Sequence, residues 1–188
     1  MCRSNYGELV KPTRLLPFLL LAFSNLYAGD STWVLTQSRL TYHVSHPLHQ
    51  TDGVSRAARG KGICHEGQCE FLIAVPVNSF NSGDSNRDLH MIQVTRGAEF
   101  PMVTVRTRLP ESASDLSTIK ADLEIQFAGQ TAHYQQVSFA VTTQGREKHI
   151  TGTIPTTLSD FKIEPPSLLT MPVKNEIPVR IDLTWSPQ

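Results

Sequence analysis

The stretch STIKADLEIQF, residues 117–127, alternates apolar and polar residues without a break. Ile119, Ala121, Leu123, Ile125 and Phe127 fall on one side of an extended chain, and Lys120, Asp122, Glu124 and Gln126 on the other. Successive side chains of a strand point to opposite faces, so this period of two describes a strand with one dry face and one wet face. EIPVRIDLTW, residues 176–185, repeats the pattern with Ile177, Val179, Ile181, Leu183 and Trp185. Leu40, Tyr42 and Val44 alternate near the start, Val137, Phe139 and Val141 later, and Ile150, Ile154 and Leu158 form a looser run. Turn residues at 128–131 (AGQT) and 143–146 (TQGR) separate these runs. Strands at this spacing predict an all-β fold, either an antiparallel barrel of about eight strands or a sandwich. The alternation leaves open whether the dry faces enclose a hollow interior or a solid core.

A helical period is nearly absent. The exception is NSGDSNRDLHMIQVT, residues 81–95, where Ser85 or Asn86 is placed to cap a short helix and Leu89 and Ile92 would face inward together. A lone short helix in such a chain plugs one end of a barrel or lies over its mouth.

The chain has 188 residues, enough for one domain with a sizeable core. Its 17 basic and 17 acidic residues balance, so no basic surface points to nucleic acid. The N-terminus stands apart. Arg3, Lys11 and Arg14 precede the apolar run Leu15–Phe23, and Ala28 precedes the polar start Gly29-Asp30. A basic region, a short apolar core and a small residue before a polar start read as a secretory signal over 1–28, with cleavage after Ala28. The run is short for a membrane span, which takes roughly twenty apolar residues. The domain then occupies 29–188, carries a net charge of about −2 and is expected in an exported, periplasmic setting. Cys2 lies upstream of the apolar run, away from the place of a lipoprotein cysteine.

Two cysteines remain in that domain, in GKGICHEGQCEFLIAV, residues 60–75. Four residues separate Cys64 from Cys69, and Phe71, Ile73 and Val75 alternate after them. A connection of that length is a common hairpin loop, which sets the cysteines opposite one another within reach of a disulfide. Oxidising conditions outside the cytoplasm favour that bond. The rival readings are weaker. Zinc takes four ligands, whereas the loop offers Cys64, His65 and Cys69 with Glu66 as a poor fourth. A redox pair more often has two intervening residues.

His43, His46 and His49 have a spacing that suits a metal on a helix, but on a strand His43 and His46 point to opposite faces and Pro47 ends the strand. No metal and no cofactor are expected. No nucleophile elbow, paired catalytic carboxylates or phosphate loop appears, so an enzyme is the weaker class of reading.

The order of several motifs resembles the YceI-like family. They are His43-Val44-Ser45-His46, then Phe80 to Met91 with Asn86-Arg87-Asp88-Leu89-His90 as its most specific piece, Glu99-Phe100-Pro101, Leu123-Glu124-Ile125, Ser159-Asp160-Phe161-Lys162-Ile163 and Ile177 to Leu183. The likeness runs from Trp33 to Trp185. It implies an exported, lipocalin-like antiparallel barrel that holds a polyisoprenoid or similar amphiphile, and so favours a hollow interior. Leu40, Tyr42, Val44, Ile119, Leu123, Ile125, Phe127, Val137, Phe139, Ile181 and Leu183 would then line a tunnel. His46, Arg87, Asp88 and His90 would stand at its mouth, Arg87 either meeting a head group or pairing with Asp88 or Glu99, and His90 either acting on the ligand or capping backbone groups. The partner implied is a lipid or isoprenoid small molecule, with a homodimer allowed for. The alternatives are a solid-core structural or stress-response protein and an enzyme acting on a lipid. Thr95-Arg96-Gly97-Ala98-Glu99-Phe100 departs from the family pattern by one missing aromatic, and the cysteine hairpin is not a general family feature.

The export reading has a direct check. N-terminal sequencing of the protein from the exported fraction is expected to start near Gly29, whereas Leu15 to Leu21 still attached to a membrane-bound protein would reject it.

Overall fold

The computed structural model describes Met1, residues 30–168 and residues 170–188. The apolar run, Ala28 and Cys2 lie outside the described residues. In chain order the elements are β1 (Ser31–His46), β2 (His49–Ser55), β3 (Arg59–His65), β4 (Gln68–Pro76), α1 (Ser85–Val94), β5 (Met102–Pro110), β6 (Thr118–Phe127), β7 (Gln130–Gln144), β8 (Glu147–Ile154), β9 (Ser167–Leu168), β10 (Met171–Pro172) and β11 (Val179–Pro187).

The strands pair antiparallel in the order β1-β3-β4-β5-β6-β7-β8-β11, and β11 returns to β1, so eight strands form a closed barrel. β1 is long enough to serve two partners on one side: Ser31–Val34 pairs with β3, and Leu40–His46 with β2. The outer edge of β2 meets the loop after β4, where Val54 and Asn81 exchange both backbone hydrogen bonds (2.9 and 3.0 Å). Closure satisfies backbone groups that a sheet edge would expose. β9 and β10 form a separate two-stranded hairpin in the crossover from β8 to β11.

The alternating residues point as the sequence indicates. Ile119, Ala121, Leu123 and Ile125 of β6 are buried, as are Ile181, Leu183 and Trp185 of β11. On the wet face Arg106 of β5 bridges Glu70 of β4 (3.3 Å) and Glu124 of β6 (3.5 Å). Leu158 lies beyond the end of β8, in the crossover, and Ile177 lies just before β11.

Two bulges reset the alternation. In β7, two residues stand against one in β6 between the pairs Leu123–Tyr134 and Ala121–Val137. Gln136 takes φ 54° there, and its backbone N–H donates to the Asp122 carboxylate (2.8 Å). In β1, Thr36 is the extra residue between Leu35 and Gln37, and its hydroxyl donates to the Thr184 carbonyl (3.1 Å). A bulge bends and twists its strand, which suits the curvature of a barrel wall.

Helix α1 is capped by Asp84 rather than Ser85 or Asn86: its carboxylate accepts from the N–H groups of Asn86 (2.9 Å) and Arg87 (3.1 Å). Those bonds hold the Asp84 carboxyl below its usual range. Leu89 faces solvent, not the interior, and Met91, Ile92 and Val94 are the half-buried apolar residues of the helix.

Cys64 and Cys69 are directly paired and disulfide-linked. His65 and Gln68 still pair, so the loop proper is only Glu66 and Gly67, with φ 50° and 77°. Positive φ at both central residues is the turn that matches strand twist, and Gly67 is suited to it. Replacing both cysteines by serine is expected to lower stability by about 2 kcal/mol without unfolding the barrel, since the loop closed is small. Denaturant unfolding of both proteins, with mass mapping of the linked peptide, measures this; unlinked thiols in the protein purified without reductant would contradict it.

Candidate ligand cavity

The dry faces of the barrel do not meet in the middle. They enclose a larger cavity of about 590 Å³ and a smaller one of about 160 Å³. Leu40, Val105 and Ile154 border both, so the two cavities are adjacent lobes that meet at these side chains.

The smaller lobe is tightened by aromatic rings. Trp33, Phe71 and Trp185 line it, and Phe71 meets Trp185 edge to face at 5.1 Å. Gly60 and Gly62 of β3 make room for them: a Cβ at Gly60 would lie 2.6 Å from the Trp185 ring, and one at Gly62 2.4 Å from the Phe71 ring. The disulfide borders this lobe through Cys69. Lys148 also fronts it, with its ammonium donating to the Thr143 hydroxyl (3.1 Å).

The larger lobe is walled by branched residues of the barrel, Val44, Val75, Val103, Ile125 and Val179 among them. Its other boundaries are the β1–β2 hairpin, α1 and the crossover 155–178. The crossover is pinned in place. Phe161 packs edge to face on Phe127 (5.3 Å), and the Tyr134 hydroxyl donates to the Asp160 carboxylate (2.6 Å). That bond holds the Asp160 carboxyl below its usual range, while burial and then the Asp160 carboxylate push the Tyr134 phenol far up.

Leu40, Tyr42, Val44, Ile125 and Phe127 front the larger lobe, and Ile119, Leu123, Phe139, Ile181 and Leu183 the smaller. Val137 is buried but fronts neither. His46, Arg87 and His90 border the larger lobe and Asp88 does not. Asp88 instead accepts the Ser82 N–H (2.9 Å).

The pairings expected for Arg87 give way to another. Its guanidinium donates to the Ser82 hydroxyl (3.0 Å) and carbonyl (3.1 Å), and Glu99 bonds to Arg96 (2.7 Å). His46 is buried with both ring nitrogens engaged: Nδ1 accepts the Leu48 N–H (3.1 Å) and Nε2 donates to the Met171 carbonyl (3.1 Å). His43 turns outward to Asp52 (2.7 Å). Among the described residues, no cluster of three or more His, Cys, Asp or Glu is placed to hold a metal ion.

The lobe walls that sequence reading passed over fall into two groups. Phe71, Ile73 and Val75 of β4 carried a visible alternation. Met91, Val94, Thr156, Phe161 and Val173 come from α1 and the crossover, where no period marks the inward side.

Comparison with known proteins agrees with this architecture. The sequence profile of the YceI-like domain matches residues 33–185, and the chain belongs to that family. Among curated proteins none matches the chain. Among solved structures it is similar to a polyisoprenoid-binding domain from Saccharophagus degradans implicated in plant cell wall breakdown, at 15% identity and a TM-score of 0.65, covering 83% of this chain and 98% of that one. It is also similar to Burkholderia cenocepacia BcnA, at 14% identity and a TM-score of 0.66, covering 78% of this chain and 95% of that one. At these identities the likeness is one of fold.

The Tyr134–Asp160 bond generates a pH prediction. A carboxyl whose folded pKa is depressed stabilises the fold above its unfolded pKa, and that contribution is lost as pH falls through the folded value. Asp160→Asn is therefore expected to lower the melting temperature at pH 7, and the gap to the parent to narrow below about pH 4. Melts at pH 7 and pH 3 check it; an equal gap at both would contradict it.

Proposed function

We propose that the protein is an exported, periplasmic binding protein that holds a polyisoprenoid or similar amphiphile inside its barrel. The observation that carries this reading is the two-lobed apolar interior of a closed eight-stranded barrel. An interior of this size lined by aliphatic side chains lies within the range of small-molecule sites and suits an alkyl or prenyl chain. Side chains of a solid core interdigitate with few voids larger than a water molecule, and both cavities are far larger than that. Leu40, Val105 and Ile154 leave the two lobes adjacent, so one elongated molecule could extend from the larger to the smaller.

Family membership supports the same reading, as does the polyisoprenoid-binding description of the Saccharophagus relative. The basic start, the apolar run and Ala28 support export. The role is binding rather than catalysis, because the cavity is walled largely by apolar groups that pack against a chain, while Arg87 at its boundary is engaged in holding the loop after β4 and Asp160 in holding the crossover.

Ile125→Trp tests the reading. Ile125 is buried and fronts the larger lobe, so a tryptophan there has open space to enter. The expected outcome is loss of bound lipid, read by extraction and mass spectrometry, with little change in melting temperature. In a filled core the same substitution would overpack and destabilise by roughly 1–3 kcal/mol. A large drop in melting temperature, in a protein whose parent carries no lipid, would overturn the proposal.

A further inference from the structure

The larger lobe holds a tyrosine hydroxyl that the fold positions and does not use. Tyr42 of β1 sits directly opposite Gly53 of β2, and its ring lies flat across that glycine. A Cβ at Gly53 would fall 2.2–2.4 Å from the outer ring atoms and the hydroxyl oxygen of Tyr42, so any larger residue there would evict the ring. Phe80 holds the ring from another side, with centroids 5.5 Å apart. The ring is therefore fixed against the wall of the larger lobe. Among the described residues, no protein group hydrogen-bonds its hydroxyl.

The surroundings of that hydroxyl are unfavourable to an anion. Asp88 and Asp52 act on it with one sign and Arg87 with the other, and burial together with the two carboxylates raises the Tyr42 phenol above its usual range. Arg87, the one arginine or lysine bordering this lobe, already donates to Ser82 through two nitrogens, between the acidic residues Asp84 and Asp88. Arg180 is paired with Asp52 (3.3 Å). A diphosphate would bring several negative charges beside these carboxylates with no uncommitted arginine or lysine at the lobe to meet them, and burying an unpaired charge is costly.

We infer that Tyr42 is the polar anchor of the cavity and that it selects an amphiphile whose head is uncharged and accepts a hydrogen bond, such as an alcohol, a carbonyl or an amide, over one ending in a phosphate. The inference rests on the carrier reading above and sharpens it. The phenol O–H donates to the head-group oxygen while the tail lies along the aliphatic wall towards the smaller lobe. A neutral oxygen there leaves Asp52, Asp88 and the Arg87–Ser82 contacts undisturbed.

The test uses delipidated mature protein with two probes that share one tail, geranylgeraniol and geranylgeranyl diphosphate, each displacing the neutral dye Nile red. Geranylgeraniol is expected to bind at least about tenfold more tightly, the order expected when a charged head has no free partner. Tyr42→Phe keeps the ring over Gly53 and removes only the hydroxyl. It is expected to weaken geranylgeraniol about fivefold, the worth of one neutral hydrogen bond, and to leave the diphosphate unchanged. If both probes bind and the diphosphate binds as tightly or more tightly, the head-group assignment fails while the carrier reading stands. A Tyr42→Phe protein that binds geranylgeraniol as the parent does would also overturn the role of Tyr42. If neither probe binds, both readings fall together.

Discussion

Nine residue pairs between β1 and β11, from Trp33–Pro187 to Tyr42–Val179, turn a curved sheet into a barrel. Without that ladder the sheet would have two free edges, and its dry face would need a second layer to cover it. With it, the dry face becomes an inside, and the volume of that inside is set by which side chains point into it. Aromatic rings over Gly60 and Gly62 nearly fill one end, whereas branched aliphatic residues leave the other open. The difference between a packed core and a binding cavity thus rests on a few inward positions, on a framework common to both.

The same closure explains why the polar groups collect at the rim. Inward positions along the wall carry no charge except near the ends, where Lys148 and Glu111 border the smaller lobe and Arg87 the larger. At the larger end the lid is held by specific bonds: Tyr134 to Asp160, Arg87 to Ser82, and His46 to the backbone of Leu48 and Met171. These groups are occupied in fixing loops. Tyr42 differs, because its ring is locked by Gly53 and Phe80 while its hydroxyl is left to the cavity.

The wall was legible where the alternation ran unbroken. Residues 119–125 and 179–185 each keep one parity, and each reads correctly from the sequence. β1 and β7 do not. Thr36 shifts the inward set from Trp33 and Leu35 to Leu40 and Tyr42, and the bulge at Gln136 shifts it from Ala132 and Tyr134 to Val137 and Phe139. A sequence gives no sign that Asp122 will accept a backbone N–H from the next strand and flip the count. The helix formed as expected, but its cap is Asp84 and its inward side is made by Met91, Ile92 and Val94 while Leu89 faces water. Most of the crossover carries no period, so its contribution to the larger lobe through Phe161 and Val173 follows only from tertiary packing.

The carrier proposal puts a single elongated apolar molecule across the two adjacent cavities, past Leu40, Val105 and Ile154. A crystal structure of the protein purified from its native source without delipidation is the decisive measurement. The account predicts one continuous rod of density that starts beside Tyr42, passes these three side chains and ends among Trp33, Phe71 and Trp185. Side chains collapsed into both lobes, or an interior holding only separate waters, would contradict it.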